Sequence, residues 1–256
     1  MIEGLKNKVV LVTGGGHGIG KAYCLAFGRA GACVVSADID GRAAENVASQ
    51  AAKETKAETI GIRVDVADEE STKRMAAVTA EKFGRIDVLV NNAAIFATIP
   101  MNRGGIETID PEEWDRLMAV NLKGVFFCTR AVLPSMRAQK SGKIINIASG
   151  TALSGSAGRI HYVTSKAGVI GFTRTLAREV GNDNIQVNCI APGSTLSEEN
   201  PTEEIIRMRQ SAVQGRALKR LQKPEDLIGM MLFLASPLSD FMTGQTVSVD
   251  GGQNFL

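Results

Sequence analysis

Seven short apolar runs, each followed by a turn and most by a stretch of helical periodicity, recur from residue 9 to residue 249. The pattern predicts strands over 9–12, 33–37, 59–63, 87–90, 143–148, 186–190 and 246–249. Between them it predicts helices over 21–29, 41–54, 69–83, 114–139, 162–180 and 224–234, the fourth announced by Asp110-Pro111-Glu112-Glu113. Strands apolar on both faces belong inside a sheet covered on both sides, so an α/β, mostly parallel, doubly wound seven-stranded sheet follows. Such sheets bind ligands beyond the carboxyl ends of their strands. Residues that follow strands are therefore the ones to inspect. Neither a linker nor an internal repeat divides the chain, and one domain over 1–256 is expected. The polar segment 194–215 interrupts the compact pattern after the sixth strand and is read as a cover for the substrate.

Composition narrows the function classes. A formal charge of +2 with no basic block argues against a nucleic-acid surface. No uninterrupted apolar run reaches the roughly 20 residues that span a bilayer, so no membrane partner and a cytoplasmic location are expected. Cys24, Cys33, Cys128 and Cys189 are widely spaced and lack the pairing of a zinc or redox site. They read as reduced core residues, and with two distant histidines no metal site is expected.

Directly after the first strand comes Thr13-Gly14-Gly15-Gly16-His17-Gly18-Ile19-Gly20. Glycines between a strand and a helix turn the chain tightly, bare the backbone to a pyrophosphate and set it at a helix N-terminus. Asp38, with Ile39 beside it, follows the second strand. A carboxylate there accepts hydrogen bonds from ribose hydroxyls and repels a 2′-phosphate, which favours NAD over NADP, although Arg42 lies close in sequence. Asp65-Val66 follows the third strand as a pair to flank the adenine. Asn91-Asn92-Ala93-Ala94 follows the fourth, with small residues for close approach and amides to tie loops together. His17 either sits beside the phosphates or is exposed.

Ser149 ends the fifth strand, and Tyr162 and Lys166 lie one turn apart on the next helix. A free tyrosine, with a pKa of about 10, is a poor base near neutrality. An adjacent ammonium stabilises its phenolate. Ser149 is placed to bond a substrate oxygen, or merely to cap a loop. Asn121, a polar amide in an apolar helical run, needs a partner and is placed to hold a water that relays protons to Lys166.

Together Thr13-Gly14-x-x-x-Gly18-Ile19-Gly20, Asn91-Asn92-Ala93, Asn121, Ser149, Tyr162-x-x-x-Lys166 and Pro192-Gly193 resemble the short-chain dehydrogenase/reductase family of roughly 250 residues, over essentially all of 5–256. The resemblance implies a Rossmann-like fold and a catalytic set in which Tyr162 is the acid/base, Ser149 positions the substrate oxygen, Lys166 binds the nicotinamide ribose and Asn121 supports the relay water. It places Pro192, Gly193, Thr195 and Ser197 by the nicotinamide. Two positions depart from the family: Ser197 where threonine is usual, and Ala94 where glycine is. It also implies a homotetramer, with helices 114–139 and 162–180 in one interface and the last strand in another.

Three loops are expected to line the substrate end, with Ile95, Phe96, Ile99 and Pro100, then Thr151, Leu153, Ser154 and His161, then Leu196, Ile206 and Met208. That lining suits a small alcohol or carbonyl substrate. Arg103, Arg159 and Arg209 are either solvated surface charges or a clamp for a carboxylate or sulfonate, and His161 points either into the cleft or away. NAD-dependent oxidation of a secondary alcohol is the leading function, with Met101 to Gly105 as a mobile rim. Reduction of a 3-oxoacyl thioester is the alternative, and a nucleotide sensor without turnover is a third.

Overall fold

The computed structural model describes residues 3–96 and 101–255. Ile99 and Pro100 lie outside the described residues.

Seven parallel strands form one sheet: β1 (Val9–Thr13), β2 (Cys33–Asp38), β3 (Thr59–Arg63), β4 (Val88–Asn91), β5 (Gly142–Ile147), β6 (Ile185–Pro192) and β7 (Thr246–Val249), in the order β3-β2-β1-β4-β5-β6-β7. The helices are α1 (Gly18–Arg29), α2 (Gly41–Thr55), α3 (Glu69–Phe83), α4 (Pro111–Met118), α5 (Gly124–Gln139), α6 (Thr151–Ser154), α7 (Ile160–Val180), α8 (Glu203–Ser211) and α9 (Glu225–Ala235).

Alternate residues of each inner strand feed two separate cores, as the two-residue period of a strand requires. Val9 and Leu11 of β1 join Leu89, Ile144 and Val187 against α3, α5 and α7 through Met75, Val132, Met136 and Leu176. Val10 and Val12 join Val34, Val90, Ile145 and Ile190 against α1, α2 and α9 through Tyr23, Phe27, Val47, Leu227 and Met231. Because both faces are covered, the strands read as continuous apolar runs.

The strand order reverses between β1 and β4, which pair in register from Val10–Val88 to Val12–Val90. There the loops after the two strands diverge and leave a crevice. The glycine turn leaves β1 at that point, and Asn92-Ala93 leaves β4.

The expected helix over 114–139 is broken. It starts earlier, at Pro111, with Asp110 Oδ1 accepting from the Glu112 amide. It then passes through a π-helical turn, Ala119–Lys123, before α5. The cause is a long-range contact: the Asn121 side chain accepts from the Ile95 amide at 2.7 Å and donates to the Ile95 carbonyl at 3.4 Å. Such single π turns are frequent at functional sites. By length and composition alone Pro111–Gln139 is apolar enough to cross a membrane. In the structure its Val125, Phe127, Cys128, Val132 and Met136 are buried within the protein.

Candidate active site

A cavity of about 820 Å³ opens along the carboxyl ends of the strands. The glycine turn, Asp38, Ile39, Asp65 and Val66 line one end, and Ser149, Tyr162, Lys166, Pro192 and Gly193 line the other.

At the first end, Gly14 and Gly18 have φ of +63° and +49°, which glycine adopts without steric cost. A Cβ on Gly20 would lie 1.9 Å from the Gly14 carbonyl oxygen, so the turn closes only with glycine there. Asn92 locks the arrangement, its side-chain amide donating to the carbonyls of Thr13 and Gly14, each at 3.0 Å. Helices α2, α3, α4 and α8 carry side-chain N-caps. At α1 the N-cap residue, His17, makes no such bond, and its side chain is half-exposed. Among the described residues the first-turn amides of α1 thus have no side-chain acceptor at the cavity wall, which suits an anionic group. Asp38 is buried, its carboxylate held by the amides of Gly16 (2.9 Å) and Asp40 (3.0 Å). Arg42 is exposed.

At the second end, helix α7 presents Tyr162 and Lys166 side by side, the ammonium 6.0 Å from the phenol ring centroid. Lys166 donates to the Ile147 carbonyl at 2.8 Å and is buried. Burial pulls its pKa down from 10.5 to about 8. Burial pushes the Tyr162 phenol up, while the Ser149 hydroxyl and the Arg159 and Arg209 guanidiniums pull it back. The Ser149 hydroxyl lies 2.9 Å from that of Thr151. Phe96 stacks on Tyr162 with centroids 4.9 Å apart.

Segment 194–215 crosses the cavity and closes on the glycine turn. Ser197 approaches Gly18 so closely that a Cβ there would meet the Ser197 carbonyl oxygen at 3.1 Å. Lys21 pairs with Glu199 at 2.6 Å, and the Arg216 guanidinium donates to the Ser194 carbonyl at 2.6 Å. Thr195 forms a bridge with Gln222 and faces the cavity with Ser197.

Of the expected cofactor and catalytic residues, Asn91 and Asn121 do not line the cavity, and of the expected substrate lining Leu153, Leu196 and Ile206 do not either, Leu153 packing with Ala148 and Val169. Asn91, the last residue of β4, turns inward and donates to Asn146 Oδ1 (2.9 Å) and Thr129 Oγ1 (3.1 Å), while Asn146 donates to Thr173 Oγ1 (2.9 Å). The neighbouring Asn92 makes the loop tie instead. The Asn121 side chain is spent on Ile95 and on Ser165 Oγ (3.3 Å) rather than on the cavity. His161 points away from the cavity, its Nε2 3.1 Å from Glu113 Oε1. Of the three arginines, Arg103 is exposed, whereas Arg159 and Arg209 line the cavity and Arg209 is buried. Glu198 and Gln253 also line it and carried no sequence signal beyond their polarity. The polar Asn146 inside the apolar β5 was the one available hint of the buried amide chain.

The cysteines are free, and burial raises the thiols of Cys24 and Cys128 to about 12 and that of Cys189 to about 11. Among the described residues no cluster of metal-ligating side chains occurs.

Residues 14–254 match a family model described as enoyl-(acyl carrier protein) reductase. The 3-oxoacyl-[acyl-carrier-protein] reductase FabG of Thermotoga maritima is 39% identical over 255 residues, covering 97% of this chain and 98% of the relative. The (2S)-[(R)-hydroxy(phenyl)methyl]succinyl-CoA dehydrogenase subunit BbsD of Thauera aromatica is 37% identical, covering 99% of each. The crystal structure of a 3-ketoacyl-(acyl-carrier-protein) reductase from Brucella melitensis complexed with NADH superimposes with a TM-score of 0.88 at 30% identity, over 98% of this chain and 100% of that one. Full-length similarity of this kind, on a seven-stranded Rossmann-like sheet, makes the chain a member of the short-chain dehydrogenase/reductase family of oxidoreductases.

Proposed function

We propose that this protein transfers hydride between NAD(H) and a secondary alcohol/ketone pair, with Tyr162 as the acid/base. The observation that carries the reading is the joining of two ends in one cavity: an anion-accepting glycine turn with Asp38, and a buried Tyr162–Lys166 pair beside Ser149. The residues fit the dinucleotide. The first-turn amides of α1 would hold the pyrophosphate, Asp38 the adenosine ribose, Asp65 and Val66 the adenine side, and Lys166 the nicotinamide ribose. The fixed Asp38 carboxylate disfavours a 2′-phosphate.

When bound, NAD supplies a hydride acceptor and a positive ring beside the phenol. Tyr162 Oη takes the alcohol proton during oxidation and returns it during reduction. Burial alone opposes the phenolate this requires, and the Ser149 hydroxyl and the Arg159 and Arg209 guanidiniums offset part of that cost, with the Lys166 ammonium 6.0 Å from the ring adding to the same field. Ser149 orients the substrate oxygen. The main chain of the π turn at Asn121 supports a relay water toward Lys166. Segment 194–215 covers the substrate and excludes bulk water.

Reduction of a 3-oxoacyl thioester is the second reading, favoured by the names of the Thermotoga and Brucella relatives. The Brucella enzyme was solved with NADH, so a preference for NAD does not separate the two readings. We further propose a cytoplasmic homotetramer. Of the apolar residues on α5 and α7, Val125, Phe127, Val169 and Ile170 are consumed by the core. Phe126, 41% exposed, is left to face outward.

Absorbance at 340 nm with secondary alcohols, sugar alcohols and 3-oxoacyl thioesters, with NAD(H) and NADP(H) in parallel, tests the reading. NAD(H)-dependent turnover is expected, and Tyr162→Phe should lower kcat by about 10²–10⁴-fold while NADH affinity is kept. Full turnover by that variant, or a preference for NADP, contradicts it.

A further inference from the structure

The substrate end of the cavity carries more positive charge than the proposed chemistry uses. Arg159, Arg209 and Lys166 line it, Glu198 is the carboxylate beside them, and Arg103 stands at the rim. Glu198 pairs with Arg209, 2.5 Å from Nη2. Arg209 is only 4% exposed, yet its Nε is buried without a hydrogen-bond partner among the described residues. Arg159 makes neither an ion pair nor a hydrogen bond among the described residues, and Arg103 and Arg209 both repel its charge. Both cavity guanidiniums lie over the Phe96 ring, Arg159 at 5.9 Å and Arg209 at 5.4 Å from its centroid, and Phe96 in turn stacks on Tyr162.

A half-buried cation without a counter-ion is costly, and a bound anion relieves it. The α7 N-terminus adds to the same field: Arg159 is its N-cap residue, and no side chain caps the helix. Phe96 acts as a spacer that sets the two guanidiniums a short chain away from the phenol.

Resting on the function proposed above, we infer that the substrate is a hydroxy acid or oxo acid whose free carboxylate is bound by Arg159, with the Arg209 guanidinium adding positive charge at the cavity wall. A planar fork matches a carboxylate, and a neutral ester or thioester leaves the same charges unpaired. Arg159 is thus the determinant of substrate class, and Glu198 holds Arg209 in orientation.

The test compares kcat/KM with NAD for short 2-, 3- and 4-hydroxy acids, for the methyl ester of each, for 3-hydroxybutyryl-CoA and for 2-butanol. At least one acid is expected to exceed its ester and the thioester by tenfold or more. Arg159→Gln should remove most of that ratio, and Arg159→Lys should restore part of it. Arg159 is half-buried at the cavity mouth, and the unmodified enzyme alone already decides between acid and ester. Esters, thioester or 2-butanol turned over as well as every acid would overturn the carboxylate assignment while leaving the NAD-dependent reading intact. An acid preference unchanged in Arg159→Gln would overturn the role of Arg159. Absence of NADH formation from the whole panel, with NADH binding retained, would overturn the proposed function and this inference with it.

Discussion

Lys166 is placed where function and stability oppose one another. Its ammonium is needed beside Tyr162, yet burial depresses its pKa from 10.5 to about 8. The unfolded chain holds that proton up to about pH 10.5, whereas the folded protein releases it near pH 8. Below pH 8 both states are protonated and the folded state carries the whole penalty, about 3 kcal/mol. Between pH 8 and 10.5 the unfolded state binds more protons, so this group's contribution to stability rises with pH across that window. Lys166→Met removes the penalty and forfeits the bond to the Ile147 carbonyl, about 1 kcal/mol. Urea unfolding should therefore find the variant more stable by about 2 kcal/mol at pH 6–7, with the gain shrinking toward pH 10.5, and inactive throughout. A variant less stable than the parent at pH 6 would mean that Lys166 is already well compensated in the fold. The sequence located such residues by their place after strands, but not the direction of each side chain. Asn91 ends β4 and Asn92 follows it. The strand's two-sided geometry sends Asn91 toward Asn146, while Asn92, beyond the last rung, reaches the glycine turn. His161 and Tyr162 diverge on α7 in the same way.

At the level of elements, the β1–α1 turn depends on close backbone approach. An alanine methyl at Gly20 would stand 1.9 Å from the Gly14 carbonyl and 2.7 Å from the Asn92 amide, so α1 must shift away from the turn. Gly20→Ala should cost about 1–3 kcal/mol or more in urea unfolding, and NADH fluorescence titration should show an affinity loss larger than any uniform loosening explains. Gly181→Ala makes a useful contrast. It ends α7 in right-handed helical geometry (φ −59°, ψ −38°) with nothing within 4 Å of the added methyl, and should gain about 0.5–1 kcal/mol. Equal effects at the two glycines would mean that the turn has slack the contacts do not show. The strands were legible because apolar runs punctuated by turns are a local signal. The π turn in Pro111–Gln139 was not, because its cause is the distant Ile95 backbone. A helical period carries no trace of a partner 26 residues away.

For the whole molecule, the question is what holds segment 194–215 over the cavity. Its contacts are of unequal worth. The Lys21–Glu199 pair is partly exposed, at 31% and 55%, and such pairs contribute about 0–1 kcal/mol and weaken with salt. The Arg209–Glu198 pair is nearly buried, but both its groups belong to the segment, so the pair itself does not cross to the rest of the protein. The backbone bridge of Thr195 with Gln222, the bond from Arg216 to Ser194, the packing of Ser197 on Gly18, the Arg103–Met208 contact and Arg209 over Phe96 anchor it. Several residues of the segment line the cavity, so a ligand filling it would add contacts to the segment. Trypsin should cut the free protein at Arg207, which is 73% exposed on α8. Saturating NADH should slow that cut several-fold, since protection follows the population of the open form when reclosing is fast. Lys21→Met should speed the cut in the free protein by no more than about fivefold, the limit set by a surface pair worth under 1 kcal/mol, and added salt should mimic it. Cleavage at Arg207 indifferent to NADH would separate the segment from the cavity and leave it a surface connection.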